Sequence, residues 1–458
     1  MKINFIKLLY EEETDMKKNK GITLVALVVT IVVLLILAGV SINLVLGDNG
    51  IIAKAKEAQR KSAEATQNDL KGMNGLVSEM EGALAGSDSG NGGAGGSGTG
   101  TKVPAEATAE TAPYFPDNTF TKKEGTIDTG LVIQDANGNE YVWVVVPKSL
   151  YNNTNYNSNN TKKPSSSTDY ANIEYCLQQY TVTYRNGTSF FDVYYADDKN
   201  VGWFADATAY NNLKNSMLKS VYENGGFYVG RYEAGIDTTT GTNRTSIESQ
   251  VDGKYPVPTT APVTKADAYP YTYVTRTQAQ NLASNVNSGT KTSSLMFGVQ
   301  WDLVLAFMHN KGNIADSTLT TNSTTIGNYI NSTFDLNRGK YAQYGQLGNE
   351  WKNFDSALGS IVVSNETTGK MKKTEQSSDS NSILITTGGT EQSKVMNIYD
   401  IAGNVWEWTL EKTSITINPC AYRGGSYSYA GSNGPAAYRN YTSTDGSYDS
   451  VGFRVSLF

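Results

Sequence analysis

The chain has 458 residues, of which 18% are charged, a formal net charge of −6 and 29 tyrosines. This length allows about two or three domains. No run of basic residues follows the N-terminus, so the composition excludes nucleic acid as a partner. The chain has one histidine, His309, and two cysteines, Cys176 and Cys420. A metal site built on a pair of histidines is therefore excluded, and at most one disulfide can form.

The N-terminal part contains a long uncharged stretch. No charged residue occurs from Gly21 to Gly47, and about 20 apolar residues are enough to span a bilayer as a helix. Three lysines stand immediately before it, so the positive-inside rule leaves the N-terminus in the cytoplasm and the rest of the chain outside. The sequence predicts a transmembrane helix at 22–47 and a single-pass protein of the cell membrane with an extracellular C-terminal domain. A signal anchor and an uncleaved signal peptide share these features.

The stretch "KKNKGITLVALVVTIVVLLILAGVSI" resembles a type IV prepilin: a short basic leader, residues 1–21, followed by an apolar helix. The resemblance implies cleavage between Gly21 and Ile22 by a prepilin peptidase, with other pilin subunits as partners in a surface pilus. The chain departs from the pilin pattern at the fifth mature position, where Ala26 replaces the usual Glu. Polymerisation, simple membrane anchoring and a minor-pilin role therefore all stay open.

Two further segments lead to an outer domain. Residues 48–85 are rich in Ala, Lys, Glu and Gln, a composition that predicts a helical extension. Residues 86–112 begin with "GSDSGNGGAGGSGTG", which predicts a flexible linker. Because the composition changes there, we place a domain boundary near residue 100 and an outer domain at 113–458.

The outer domain contains four clear secondary-structure signals. "EYVWVVVP" at 140–147 and "GFYVGRYEAG" at 226–235 predict strands. "TQAQNLASNV" at 277–286 and "VQWDLVLAFMH" at 299–309 have helical spacing. Loops rich in Asn, Ser, Thr and Gly separate these elements. The expected fold class is therefore α+β, irregular and with many loops.

Three motifs occur in order near the C-terminus: "GNVWEW" at 403–408, "RGGSY" at 423–427 and "GFR" at 452–454. Together they resemble the formylglycine-generating enzyme (sulfatase-modifying factor) family. The resemblance extends over about residues 113–458 and implies a C-type-lectin-like fold. Since one fold supports many functions, the activity has to be argued from the site.

The chemistry of that family depends on residues that this chain lacks. Active members bind copper through two cysteines that follow the Gly-Gly-Ser-aromatic motif, because a cuprous ion requires soft thiolates. Residues 428–434 contain no cysteine, and Cys420 precedes the motif. Related iron-dependent members require several histidines, and His309 is expected to be a packed or capping residue. We expect neither copper nor iron and no enzyme; an oxidase is the less favoured alternative. Glu407 and Glu411 are expected on a solvated or metal-lined face.

The family resemblance also implies a structural calcium ion at the "GNVWE" motif. Carried over position by position, its ligands are the Asp400 carboxylate, the Gly403 and Val405 carbonyls and the Glu407 carboxylate. Oxygen ligands of this mixed kind suit Ca²⁺. The alternative is that Asp400 caps a turn and Glu407 pairs with an arginine such as Arg423.

The stretch 427–450 has an unusual composition. It contains five Tyr and five Ser but no Lys, Glu, Gln, Met or Trp. A codon whose first two bases vary freely while the third stays a pyrimidine cannot encode the five missing types. The stretch resembles the variable region of proteins diversified by mutagenic retroelements. The alternative is a Tyr- and Ser-rich surface loop without such a history.

This composition predicts a displayed binding face, because Tyr supplies rigid amphipathic contact area while Ser, Gly and Asn adapt their hydrogen bonds. The predicted ligand-binding residues are Tyr429, Asn433, Tyr438, Asn440, Tyr441, Asp445, Tyr448 and Asp449. The residues predicted to be buried are Trp406, Trp408, Tyr427, Arg439 and Phe453. The predicted function is a surface adhesin or receptor whose ligand is a protein, a glycan or a phage surface. A structural minor pilin without a ligand is the alternative.

Overall fold

The computed structural model describes residues 106–185, 189–343, 351–355, 361–365, 370–376 and 382–458, without the side chains of 363–365 and 370. All of these residues belong to one unit, Gly98–Phe458. The predicted leader, membrane helix and helical extension lie outside the described residues, as does most of the linker. Among the described residues, no helix has both the length and the apolar character needed to cross a membrane.

Strands and helices alternate irregularly along the described residues. The strands are β1 (Thr121–Glu124), β2 (Val132–Gln134), β3 (Glu140–Val145), β4 (Phe190–Phe191), β5 (Gly226–Gly230), β6 (Gly235–Asp237), β7 (Ala268–Pro270), β8 (Ser293–Leu295), β9 (Phe334–Asp335), β10 (Lys340–Gln343), β11 (Lys352–Asn353), β12 (Ile361–Asn365), β13 (Lys370–Lys373), β14 (Ile383–Ile385), β15 (Trp406–Thr413), β16 (Cys420–Arg423), β17 (Arg439–Thr442), β18 (Val451–Phe453) and β19 (Val455–Leu457). The α-helices are α1 (Tyr170–Tyr180), α2 (Ala207–Asn224), α3 (Arg276–Ser284), α4 (Gly298–Asn310) and α5 (Asp316–Thr320). Short 3₁₀ helices lie at Lys148–Asn152, Thr324–Ile326 and Glu391–Ser393.

The first sheet has the spatial order β1-β2-β3-β5-β19-β8, and all of its strand pairs are antiparallel. β3 and β5 lie at its centre and correspond to the strands predicted at 140–147 and 226–235. The second predicted strand is too long: β5 ends at Gly230, and Gly235 begins the separate strand β6, which pairs with β7 instead.

The second sheet carries the C-terminal motifs. Its order is β17-β16-β15-β18, and β4 pairs with the far end of β15. β18 is parallel to β15, whereas the other pairs are antiparallel. Smaller sheets have the orders β11-β10-β14, β12-β13-β9 and β6-β7. The domain is therefore a mixed α/β structure with many loops.

Helix α4 lies in the core, and it matches the helix predicted at 299–309. Every residue from Gly298 to Met308 is buried, as expected for a helix that is apolar on all sides. Asp192 accepts hydrogen bonds from the N–H groups of Gly298 at 2.7 Å and Val299 at 3.0 Å, so it satisfies two of the free donors at the start of the helix. Helix α3, predicted at 277–286, begins with a capping box formed by Thr275 and Gln278.

Candidate functional site

Arg454 stands between β18 and β19, where the chain passes from the second sheet to the first. It is fully buried, and its guanidinium donates to both oxygens of the Glu407 carboxylate at 2.6–3.1 Å. It also donates to the carbonyls of Gly230 at 2.9 Å and Tyr399 at 2.8 Å. The last motif therefore joins the "GNVWEW" motif to the first sheet.

Four buried charges hold the stretch 427–450 at its start and in its middle. Arg423 donates to Asp302 Oδ1 at 2.7 Å and to Glu411 Oε2 at 3.2 Å. Arg439 donates to Asp302 Oδ2 at 2.7 Å and to Glu411 Oε1 at 2.8 Å. We refer to Arg423, Arg439, Asp302 and Glu411 as the charge ring. Because Asp302 lies on α4 and Glu411 on β15, the ring attaches the stretch to both core elements.

The charge ring is balanced, with two charges of each sign. Burial by itself raises the pKa of Glu411, but the guanidinium groups of Arg439 and Arg423 outweigh burial and lower it to about 2. Burial lowers the pKa of Arg439, but Asp302 and Glu411 more than reverse this and raise it. Burial and the neighbouring Arg439 lower the pKa of Arg423, because the two guanidinium groups share one pair of carboxylates. Glu411 and Arg439 therefore both carry charge at neutral pH.

The sequence-based expectation for Glu407 and Glu411, a solvated or metal-lined face, is wrong. The two side chains are buried, with 0% and 2% of their surfaces exposed. Each carboxylate pairs with arginines that come from other parts of the chain: Glu407 with Arg454, and Glu411 with Arg423 and Arg439. The segment is a strand between neighbours, and both glutamates face the interior.

A glycine turn packs the "RGGSY" motif onto "GNVWEW". Gly424 and Gly425 have φ angles of 93° and 82°, in the left-handed region that favours glycine. A Cβ on Gly425 would lie 2.1 Å from the carbonyl oxygen of Gly434, so a side chain cannot fit there. The Tyr427 N–H then donates to the carbonyl of Asn404 at 2.9 Å.

The exposed tyrosines of the described residues all lie in the stretch 427–450. They expose between 38% and 42% of their surfaces and are Tyr429, Tyr438, Tyr441 and Tyr448. The predicted anchors Tyr427, Arg439 and Phe453 expose 2%, 8% and 0%. The stretch is therefore divided into buried anchors and exposed tyrosines, which confirms the exposure predicted for each group.

The exposed tyrosines lie near Tyr422, a residue of β16 that the sequence analysis missed. Tyr441 is the ladder partner of Ala421, next to Tyr422, and the Tyr448 hydroxyl lies 2.9 Å from Thr442 Oγ1 on the same strand as Tyr441. Burial raises the pKa of the Tyr422 hydroxyl, and the hydroxyls of all four tyrosines raise it further. The buried ring of Trp406 contacts those of Tyr422 and Tyr429 with centroids 5.3 Å away and that of Tyr438 at 6.0 Å. We name the surface formed by Tyr429, Tyr438, Tyr441 and Tyr448 the tyrosine face.

The polar residues predicted to bind ligand are accessible beside the tyrosine face. Asn433 is exposed, and the half-buried residues are Asn440, Asp445 and Asp449. Asp449 accepts a hydrogen bond from the Tyr427 hydroxyl at 3.1 Å, and Asp445 pairs with Lys199 at 3.5 Å. Lys199 extends the site to a loop that the sequence analysis did not consider. The role of these residues in binding stays a prediction.

The predicted calcium ligands Asp400, Gly403, Val405 and Glu407 are not all free to bind a calcium ion in this arrangement. Both oxygens of Glu407 are bound by Arg454, so a guanidinium charge already lies against this carboxylate. The alternative, pairing with an arginine, is found, but the arginine is Arg454 and not Arg423.

Glu233, which sequence reasoning missed, lies beside the same motif. Its carboxylate accepts hydrogen bonds from Asn404 Nδ2 at 2.7 Å and from the Val405 N–H at 3.1 Å. Burial raises the pKa of Glu233 well above its ordinary value, and Asp400 and Glu407 raise it further. Within the described part of the chain, no group of three or more His, Cys, Asp or Glu side chains is arranged to hold a metal ion. Glu233 and Glu407 hold the motif through hydrogen bonds and Arg454, whereas Asp400 Oδ1 is buried without a hydrogen-bond partner among the described residues.

The residues that the oxidase alternative would need are buried and separate. Cys176 and Cys420 are free thiols, and the Cys420 Sγ lies 3.1 Å from the hydroxyl of Tyr195. Burial raises the pKa of both thiols and so disfavours the thiolate that binds copper. His309 Nδ1 lies 2.8 Å from the carbonyl oxygen of Ile314, which confirms its predicted role as a packed or capping residue.

Some of the missed residues had a signal in the sequence. Asp302 is the one charged residue in the apolar run "VQWDLVLAFM", and a lone acid in a buried helix requires a partner. Tyr422 lies two residues after Cys420, so a strand at this position places both side chains on the same face of the sheet. The sequence around Glu233 and Lys199 has no comparable signal.

The described part of the protein is a mixed α/β domain that displays the tyrosine face at its surface and holds the stretch 427–450 through the buried charge ring. The model of the family described as "Sulfatase-modifying factor enzyme 1-like domain" matches residues 134–457. The chain belongs to this family, and the family resemblance is confirmed. The match does not reach the pilin-like N-terminus.

A solved structure, Treponema denticola variable protein 1, is similar to this chain with a TM-score of 0.24 and 14% identity. The similarity covers 58% of this chain and 93% of that chain. The comparison with curated proteins finds no match.

Proposed function

We propose that this chain is a surface-displayed, ligand-binding protein, an adhesin or receptor, built on a catalytically inactive domain of this family. The observation that carries the proposal is the tyrosine face, on which four tyrosines each expose 38% to 42% of their surfaces. Clustered exposed aromatic groups mark interaction sites in soluble domains. Tyr is also among the residues that most often anchor protein interfaces. The C-type-lectin-like fold is part of this proposal.

The proposal includes diversification of the stretch 427–450. The missing residue types support it, and so does the separation of roles within the stretch. Arg439 is held in the charge ring, whereas the neighbouring Tyr438 and Tyr441 are exposed. Exposed positions can change at a smaller cost than the buried anchors, although Tyr429 and Tyr438 contact the ring of Trp406. We expect the DNA beside the gene to contain a reverse transcriptase and an imperfect copy of the last codons; the absence of both favours a loop without such a history.

The chemistry of the face suits a polar partner with a broad surface. Tyr441 and Tyr448 present hydroxyls and ring faces, and Asp445 and Asp449 add carboxylates beside them. Such a surface can bind a protein, a glycan or a phage surface through stacking and hydrogen bonds.

For display, we propose that the apolar helix at 22–47 anchors the chain in the cell membrane, with the outer domain on the extracellular side. Protease treatment of intact cells should then release the domain that begins near residue 113. Protection of that domain in cells with an accessible envelope would contradict the proposed topology. More specifically, we propose that this helix assembles with other pilin subunits into a surface pilus.

The binding role is tested with full-length protein on cells that carry Ala at Tyr429, Tyr438, Tyr441 and Tyr448. We expect attachment to host cells or arrayed glycans to be lost, because each anchoring Tyr contributes roughly 1–3 kcal/mol. Surface abundance and pilus assembly should remain unchanged. The matched control replaces four exposed apolar residues elsewhere by Ala: Val182, Val201, Val251 and Ile417.

The alternative of a structural minor pilin predicts a different result. If the four tyrosine substitutions impair assembly, and the unchanged protein shows no attachment, the outer domain is a structural element without a ligand. If the control variant loses attachment to the same extent, the loss cannot be attributed to the tyrosine face.

A further inference from the structure

A cleft of about 320 Å³ lies on the domain and shares no residue with the tyrosine face. One wall comes from α3, with Gln280, and another from the segment Lys291–Ser293 that leads into β8. Phe204 and Leu213 supply apolar surface. This volume is at the lower end of the range for small-molecule sites, about 300–1,000 Å³. The cleft can therefore hold a ligand about the size of a monosaccharide or an amino acid.

Two polar side chains in the wall have unused hydrogen-bonding groups. Gln280 is 6% exposed, and its Oε1 accepts the N–H of Leu295 at 2.9 Å. This bond fixes the amide, whose Nε2 donates to no acceptor among the described residues. The Oγ of Ser293 is buried and also has no partner among them. Because buried polar groups are normally paired, a ligand that reaches the Ser293 hydroxyl satisfies an unpaired group. The Gln280 Nε2, which is open to solvent, exchanges water for the ligand.

The cleft has one positive charge. Lys291 is the charged residue among those that line it. Its Nζ lies 4.3 Å from the centroid of the Tyr114 ring, and it pairs with no carboxylate of the described residues. The N–H of the adjacent Thr292 is already bound to the Phe458 O at 2.9 Å. The available groups are thus an ammonium, a fixed amide donor and hydroxyls.

We infer that this cleft binds a small molecule through a carboxylate group. An ionised carboxylate accepts hydrogen bonds and donates none, which matches the donors of Gln280, Lys291 and Ser293. A single ammonium balances one negative charge, whereas phosphate sites more often use arginine or several donors arranged as a fork. Phe204 and Leu213 then contact the apolar part of the ligand. This site is independent of the tyrosine face and adds a second ligand to the proposed function.

The carboxylate can belong to a sugar acid or to an amino acid derivative. Both sources are tested on the full-length protein in detergent, by ligand-observed NMR with sodium glucuronate and with N-acetylglutamate. The matched neutral probes are glucose and N-acetylglutaminamide, in which both carboxylates of N-acetylglutamate are replaced by amides. We expect at least one acid to bind and its neutral counterpart not to bind. Binding of glucuronate alone assigns a sugar acid, and binding of N-acetylglutamate alone assigns an amino acid derivative.

Variants at Lys291 test the charge directly. Lys291→Gln should weaken binding by about tenfold or more, since a hydrogen bond to a charged group contributes about 1.5–3 kcal/mol. Lys291→Arg should retain it. The control Lys254→Gln removes an exposed lysine that does not line the cleft, and it should bind like the unchanged protein. The inference is overturned if neither acid binds, if neutral probes bind equally well, or if Lys291→Gln binds unchanged.

Discussion

The charge ring makes a quantitative prediction about Arg439, a buried residue inside an otherwise exposed stretch. Arg439→Met keeps much of the side-chain length but removes the guanidinium. The change leaves Asp302 Oδ2, Glu411 Oε1 and the Tyr184 carbonyl without the donors that now lie 2.7–2.8 Å away. The ring is then left with two negative charges and one positive charge, and the half-buried Arg185, whose Nη1 lies 3.9 Å from Asp302 Oδ2, offsets only part of the excess.

The size of the effect follows from that burial. Removing one partner of a buried ion pair costs about 3–5 kcal/mol of unfolding free energy. Domains gain about 2.1 cal/mol/K of entropy per residue on unfolding, so this loss lowers the melting temperature of a unit of this size by about 4–7 °C. Adding Asp302→Asn removes the leftover charge and should recover part of the loss.

The assay is differential scanning calorimetry of the full-length protein at neutral pH. Tyr441→Ala is the control, since Tyr441 lies two residues away and is 38% exposed; we expect a stability change below about 1 kcal/mol. The reasoning is refuted if Arg439→Met has the same melting temperature as the unchanged protein, or if Tyr441→Ala lowers the melting temperature more than Arg439→Met does.

Three further predictions concern acidity, catalysis and calcium. The pKa of Glu411, about 2, lies below its ordinary 4.5, so its contribution to stability is present above about pH 4.5 and lost as the pH falls towards 2. The melting temperature should fall more steeply in this window than that of Glu411→Gln. The protein should not convert a Cys-containing sulfatase peptide to formylglycine, because its two thiols are buried and unpaired; thiol-dependent conversion above a no-protein control would restore the oxidase alternative. Calcium should not shift the melting temperature, because Glu407 is bound by Arg454; a rise of several degrees that a chelator reverses would contradict the geometry.

The sequence by itself determined the local elements and the exposure of the C-terminal stretch. The run at 140–147 is β-branched and apolar, and the run at 299–309 is apolar on all sides; such patterns permit few arrangements. The tyrosines were predictable as exposed because a stretch so poor in aliphatic residues cannot form a core, and the flanking motifs require a fixed position. The family was also evident from motifs that are short and ordered.

Only the tertiary structure decided which charges meet. Arg423 and Asp302 are separated by 121 positions, and Arg439 and Asp302 by 137. Glu407 pairs with Arg454, 47 positions away, and not with Arg423, its neighbour across the ladder. Local pattern describes which face of an element is buried, but the partner of a buried charge depends on which elements pack together. A buried charge must be paired because burial removes it from water. Arg454 is the partner of Glu407 because it lies where the chain passes from the second sheet to the first.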